Sequence, residues 1–483
     1  MDELFPSGSL GCAKLALLLA VLLGSVSAQG QILATGPIYR IEAIEVHGNH
    51  KTRSHLVRRA LLVRPGERLA VDDPAFELSR YRVLALGYFA SVHLRLRKGA
   101  TRGAAVLVVE VVERGTLVIT DLFLGTSEAT RAWGGLGLAE RNLLGRGIEL
   151  EGAFVLGTDP LVERARLQQS YWLSATAPQS RWRRLELGAA LLLVDGSEFF
   201  RRSGSDASSS PEHFLSAGYR RLGGSLGVSL DVGPTVRVRA DQRVEAVITD
   251  LPVGATRELA VPTGTAPRSV PVPFDLIDGR SLLSVTSVTL EHDTRSDPVL
   301  PDRGALLTAS ADVSSRLFAS RYSFVKLSAS YRRYWALPWR HVAALQLFGG
   351  VVFGEAPFFE KFFIGDLSDL VPGRALGLNF STLPSRNVFG TPISGRRYDD
   401  IALRCSGQYS IPWFRGGRFA YAGDFFIDAG LIFLAAKEDL QLRDRALLQS
   451  VPIDLTVDAG LRLDTRIGVF LFSVGNALGR IPF

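Results

Sequence analysis

The chain has 483 residues, 47% hydrophobic and 21% charged, enough for two or three domains and too apolar to be disordered. Its 55 basic against 48 acidic residues give a formal charge of +7, spread along the sequence without the basic block that marks nucleic-acid binding. The only two cysteines are Cys12 and Cys405, which excludes a cysteine-rich metal site.

Residues 1–28 read as a secretory signal peptide. Lys14 precedes the apolar run Leu15 to Leu23, and Ser25-Val26-Ser27-Ala28 supplies a small-residue cleavage site. Asp2 and Glu3 make the region ahead of the run less basic than usual, and Leu10-Gly11-Cys12 lies on the wrong side of it for a lipoprotein box. With Cys12 removed, no intramolecular disulfide remains. Residues 29–37 form a linker. No later run reaches 18 apolar residues, so an exported chain of this kind enters a membrane only as a barrel.

Residues 38–115 predict a small β-α-α-β-β domain. "YRIEAIEVHGN" reads as a strand ending in a turn at Asn49. Thr52 is the expected cap of a first helix bearing Leu56, Val57, Ala60 and Leu61. Asp73-Pro74 opens a second, since Asp caps well and Pro fits the first helical position. Leu78, Tyr81, Leu84, Ala85 and Tyr88 follow at helical spacing. The strands "VHLRLR" and "AVLVVEVVE" complete a three-stranded sheet.

From residue 116 to 483 the helical period gives way to segments of alternating residues. In "PIDLTVDAGLRLD", Ile453, Leu455, Val457, Ala459, Leu461 and Leu463 form one face, and Asp454, Thr456, Asp458, Gly460, Arg462 and Asp464 the other. Similar alternation runs from Val236 to Ala246, Ala305 to Ser314, Val325 to Arg332 and Ile401 to Ile411. Segments of about ten alternating residues between turns are the mark of a transmembrane β-barrel, and at roughly 23 residues per strand and connection this half gives on the order of 16 strands. All six tryptophans fall here, several at segment ends where an aromatic girdle meets the membrane surface, as in "YRRYWALPWRH" and "SIPWF". Tight turns alternate with long polar loops such as "RRSGSDASSSPE". The alternative is a large secreted β protein.

These residues together resemble the BamA-type POTRA–β-barrel superfamily of outer-membrane assembly and translocation proteins, also called the bacterial surface antigen family. The resemblance covers nearly all of the chain beyond the leader. Residues 38–115 are similar to one POTRA domain, "GYFASV" included. "RNLLGRGIELE", with Asn142, Gly145 and Gly147, resembles the segment leading into an early barrel strand. "EHDTRSDPVLPDRG", with Asp293, Arg295, Pro301 and Gly304, resembles a characteristic hairpin, and "FFIDAG", ending at Gly430, a strand motif. Phe483 is a terminal aromatic of the type many outer-membrane barrels carry.

The resemblance implies a long loop folded into the barrel, whose tip arginine pairs with the carboxylate of the "F.D.G" strand, here Asp428. In this chain Gly365-Asp366 stands where a glycine pair is usual, and Pro372-Gly373-Arg374 replaces the tip. The expectation is that Arg374 still latches to Asp428. The alternative is a plain turn at Pro372-Gly373 with Arg374 in water. The resemblance also places Val92, His93, Leu94, Arg95, Leu96 and Arg97 on a sheet edge that binds an extended client. The same charges would also guard that edge against aggregation. Insertion is expected at the seam between first and last strands, the latter following Ile467, where Gly468, Gly475 and Gly479 weaken pairing.

His47, His50 and His55 cluster in a loop, but Lys51, Arg53, Arg58 and Arg59 surround them and no carboxylate or thiolate completes a metal site. No nucleophile motif or phosphate-cradling loop occurs, so neither an enzyme nor a cofactor is expected. The leading reading is an outer-membrane protein that inserts or translocates polypeptides, its POTRA domain in the periplasm. Its expected partners are the lipid bilayer, unfolded outer-membrane or exported polypeptide clients and accessory periplasmic proteins, with no nucleic acid. A single POTRA domain leaves two alternatives open, a dedicated secretion pore and a structural porin or surface antigen.

Overall fold

The computed structural model describes residues 36–127, 129–157, 167–178, 185–202, 211–259, 268–367, 374–383, 388–417, 419–437 and 451–475. The leader and the tail 476–483, with Gly479 and Phe483, lie outside these, as does Gly373. No described helix is long and apolar enough to cross a membrane.

The N-terminal α+β region runs β1 (Ile38–His47), α1 (Ser54–Ala60), β2 (Arg68–Ala70), α2 (Pro74–Ala85), β3 (Phe89–Lys98), β4 (Ala104–Glu113). Its sheet has four strands, in the order β2-β1-β4-β3. The extra strand, β2, has three residues, too few for alternation to reveal, and pairs antiparallel with the start of β1. Asp73 caps α2 as expected, accepting from the Ala75 N–H at 2.8 Å. Thr52 does not cap α1. Arg53 holds that position without a side-chain bond, because Thr52 is used elsewhere, as described below. Ile41, Val57, Val83, Val92, Leu107 and Val109 pack between sheet and helices. Burying each such side chain contributes about 1.5–3 kcal/mol.

The barrel strands are β5 (Leu117–Gly125), β6 (Trp133–Leu143), β7 (Ile148–Gly157), β8 (Gln168–Pro178), β9 (Leu185–Arg201), β10 (Phe214–Asp231) and β11 (Val236–Asp250). After a small hairpin, β12 (Thr256–Leu259) and β13 (Arg268–Pro271), come β14 (Gly279–Asp293), β15 (Gly304–Ser314), β16 (Ser323–Ala336) and β17 (Val342–Glu355). A second short pair, β18 (Phe362–Phe363) and β19 (Tyr398–Asp399), precedes β20 (Ile401–Arg415), β21 (Ala420–Ala435), β22 (Ile453–Thr465) and β23 (Gly468–Gly475). Apart from the two short pairs, the strands among the described residues make one antiparallel sheet of fifteen from β5 to β23, in line with the order of 16 expected. Fifteen is odd, so β5 and β23 run in the same direction where the sheet returns on itself.

The two faces divide as the alternation predicts. On β22, Asp454, Thr456 and Asp458 are 0%, 0% and 6% exposed and point inward. Leu222, Leu226, Val244, Ile248, Leu403, Ile427 and Leu431 stand exposed on the outer face, the side a bilayer would cover. Trp335, Trp339 and Trp413 lie at the rim nearest the N-terminal region, in or beside strand ends, as a girdle requires. Trp133 does not join them. It turns inward and stacks on Phe380 with ring centroids 5.1 Å apart.

Candidate functional site

The long segment between β17 and β20 folds into the barrel. Phe358, Phe363, Ile364, Leu378 and Phe380 are buried with Val155, Val194, Tyr219, Leu283, Val285 and Ile432 of the inner wall. The lumen is therefore filled by a loop whose aromatic side chains form a core of their own. Polar groups fasten that core to the wall on several sides. From β9, Glu198 accepts from the Tyr398 hydroxyl at 2.8 Å and the Asn379 amide at 3.1 Å. From β22, one Asp454 oxygen accepts the N–H groups of Val388 and Phe389 at 2.9 and 3.1 Å.

The densest knot involves β10 and β11. Arg221 and Arg243 both bond Glu245, at 2.7 Å each, and Arg243 reaches Glu360 of the loop at 2.6 Å. Glu360 is 7% exposed, and the Arg221 guanidinium lies 4.0 Å from the ring centroid of its neighbour Phe359. Glu360 sits in "APFFEKFFIG", and that one acid among four phenylalanines is its mark in the sequence. A carboxylate carried inward by an apolar run must find a cation there.

The expected latch is not formed. Arg374 pairs with Asp366 and donates to the Phe359 carbonyl at 3.2 Å, both within its own loop. Asp428 is held instead by Arg404 of the neighbouring β20 at 3.0 Å and by the Ser406 hydroxyl at 3.2 Å. Arg374 lies two places beyond the usual position, and Asp366, in the usual glycine pair's place, offers it a nearer carboxylate. The strand carboxylate still reaches the loop, because Arg404 also donates to the Leu367 carbonyl at 2.8 Å. Gly430 lies two residues on, against Ser406, where an added Cβ would fall 2.4 Å from that side chain.

The other motif residues lie at the near rim, where they meet the N-terminal region. Asn142 is 5% exposed. Its amide donates to the Thr52 hydroxyl at 2.9 Å, and its carbonyl accepts from the Gly147 N–H at 2.8 Å, closing the "NLLGRG" turn. Gly145 has φ of 69°, and an added Cβ would fall 2.0 Å from the Lys51 carbonyl oxygen, so the two backbones approach this closely only with glycine there. Tyr88 donates to the Gly147 carbonyl at 3.4 Å, and burial pushes its phenol pKa up to about 12, so it remains a donor.

The second turn is gripped by α2. Tyr81 donates to Asp293, which also holds Arg295 at 2.8 Å, while Arg80 donates to the Ser296 carbonyl at 3.2 Å. Pro301 is buried within this turn and Gly304 ends it. Arg82 adds the β10–β11 turn, with Asp231 and the Pro234 carbonyl each at 2.8 Å.

Val92 to Arg97 lie in β3, which among the described residues pairs only with β4, so that the other side of the strand is an edge of the four-stranded sheet. Val92, Leu94 and Leu96 face the domain core. His93, Arg95 and Arg97 stand on the outer face, where Arg95 pairs with Glu110 and Arg97 with Glu45.

At the seam, Gly468 begins β23 with φ of 145°, and an added Cβ would lie 2.6 Å from the Ile119 carbonyl oxygen. The neighbouring Ile119 N–H donates to the Ile467 carbonyl at 2.8 Å, the one backbone bond between the two edges among the described residues. Gly475, at the far end of β23, pairs with Asp458 of β22.

A nearly closed β-sheet with an oily exterior, a lumen filled by an infolded loop and an α+β domain bound to one rim defines an outer-membrane type of β-barrel. Residues 142–481 match the family model of the Omp85 superfamily domain, and the chain belongs to that superfamily. Among solved structures, CdiB from Escherichia coli shares the fold with TM-score 0.55 at 11% identity, over 90% of this chain and 72% of that one. BamA from Haemophilus ducreyi lacking POTRA domains 1–3 aligns over 91% and 81% at 15% identity, with TM-score 0.47. CdiB from Acinetobacter baumannii aligns over 91% and 74% at 14% identity, with TM-score 0.46. A search of curated protein sequences finds no match.

Proposed function

We propose that the chain is an outer-membrane factor that inserts or translocates polypeptides, with its N-terminal region acting as a periplasmic POTRA domain that captures the client. The observation that carries this reading is a pair of under-bonded edges in one molecule. The β3 edge offers backbone donors and acceptors to an extended chain, and the β5–β23 seam is crossed by one backbone bond among the described residues. A client strand that alternates apolar and polar residues matches the β3 edge, where Leu94 and Leu96 line one side and His93, Arg95 and Arg97 the other. The filled lumen favours passage at the seam over an open structural porin.

The test is the folding rate of a denatured outer-membrane barrel protein in liposomes carrying the full chain. Acceleration is expected, with inhibition by a short amphipathic strand peptide and none by its N-methylated form, which cannot complete the ladder. No acceleration would reject insertion. Ion conductance in its place would favour a dedicated secretion pore.

A further inference from the structure

The linker between the N-terminal region and the barrel contains one side chain that reaches across the seam. Arg114 follows β4 and precedes β5 by three residues, and its backbone N–H donates to the Tyr88 carbonyl at 2.9 Å, behind α2. Its guanidinium turns the other way. It donates to Asp464 at 2.8 Å and to the Thr465 carbonyl at 2.7 Å, at the end of β22 where the chain turns into β23. The Arg114 guanidinium also lies 4.9 Å from the centroid of the Tyr421 ring, and the side chain is 7% exposed. Gly115 packs directly against Arg466 of the same turn.

We propose that Arg114 is the positioning residue that couples the N-terminal domain to closure of the barrel. Among the described residues, three hydrogen bonds join the linker and β5 to the final hairpin, and two of them come from this one side chain. One terminal nitrogen makes both bonds, and the planar guanidinium fixes the directions of its N–H groups while lying over the Tyr421 ring, which an ammonium on a flexible stem does less well. Backbone and side chain belong to different bodies, so displacing the domain at Tyr88 withdraws the side chain from Asp464 and Thr465. A groove of about 390 Å³ beside Arg114, lined also by Lys51, Thr52, Glu140 and Leu144, leaves room for that withdrawal. This contact bears on how the barrel is held shut, whether or not a polypeptide crosses the seam.

The experiment is amide hydrogen exchange on the full chain in lipid, comparing segments 117–125 and 468–475 with the control hairpin 323–355. Arg114→Ala is expected to speed exchange at both seam segments about tenfold, the equivalent of roughly one net charged hydrogen bond, and to leave the control unchanged. Arg114→Lys should fall between, and Asp464→Asn gives an independent reading should Arg114→Ala fail to fold. Unchanged seam exchange in these variants overturns the staple. The coupling is tested separately by loosening α2 with Arg80→Ala and Arg82→Ala. Faster seam exchange with Arg114 present, and no further increase in the Arg114→Ala background, is expected; equal increases in both backgrounds, or none in either, overturn the coupling.

Discussion

Arg404 lies 3.0 Å from Asp428 on the neighbouring strand and, through its other terminal nitrogen, 2.8 Å from the Leu367 carbonyl of the infolded loop. The wall thus supplies the cation that the loop tip was expected to bring, and the loop contributes only a backbone acceptor. Arg404→Ala should leave Asp428 buried without its cation and the carbonyl without its donor, a loss of about 1–3 kcal/mol in loop retention. Protease cleavage within residues 374–383 is the readout, expected to accelerate several-fold. Asp428→Ala should produce a smaller change, since Arg404 keeps the Leu367 contact, and Arg374→Ala should act only within the loop, through Asp366 and the Phe359 carbonyl. Equal effects of all three would reject this hierarchy.

Glu360 should matter more than either, because it faces Arg243 with Arg221 and Lys326 close by. Glu360→Gln leaves Glu245 as the remaining carboxylate for Arg221 and Arg243 and removes the loop's own ionic tie, and the expected result is a loop displaced often enough to raise single-channel conductance in planar bilayers. A double-mutant cycle with Arg243→Gln should give a coupling of about 0.5–3 kcal/mol. Additive effects would show that the pair does not secure the loop.

The rim contacts predict how the domain detaches. Asn142→Ala removes the bond to Thr52 and the one that closes its own turn, while Tyr81→Phe removes only the donor to Asp293. Each buried polar group left unpaired costs about 1–3 kcal/mol, so the first variant should increase cleavage at the linker near residues 114–116 more than the second. Gly145→Ala should exceed both, because its methyl group meets backbone at Lys51. An Asn142→Ala protein as resistant as the original would place the docking energy elsewhere.

Acid should loosen the same junction. Burial raises the Glu113 pKa, and the N–H groups of Thr52 and Lys51, at 2.7 and 3.0 Å, more than offset it, leaving it below the ordinary value of 4.5. A depressed carboxyl stabilises the fold fully above its unfolded pKa and ceases to do so as pH falls through the folded one. Thermal stability of the N-terminal region should therefore drop on acidification below about pH 4.5. In Glu113→Gln it should start lower, by about 1 kcal/mol for a partly exposed group, and change less with acid. Parallel pH profiles would exclude Glu113.

Alternation made the barrel legible, because lipid and lumen impose opposite chemistry on successive side chains and so write themselves along each strand. Asp454 and Thr456 took the inward face that pattern assigned them. The turns were legible as motifs without a reason. The structure shows Asn142 and Gly145 to be one half of a contact whose other half, Thr52 and Lys51, lies about ninety positions earlier in the chain. The loop's fastenings were not legible. Arg243 and Glu360 are 117 residues apart, and no local period relates them.

The sequence by itself determined the ribbon, its two faces and its division from the small N-terminal region, since each depends on neighbours a few residues apart. Which charge meets which inside the lumen, and which side chain crosses the seam, only the tertiary structure decided. Closing the sheet brings Asp464 to Arg114 and sets Arg404 between Asp428 and the loop. Electrostatic pairing depends on distance in space, and a barrel makes neighbours of residues that the chain keeps hundreds of positions apart.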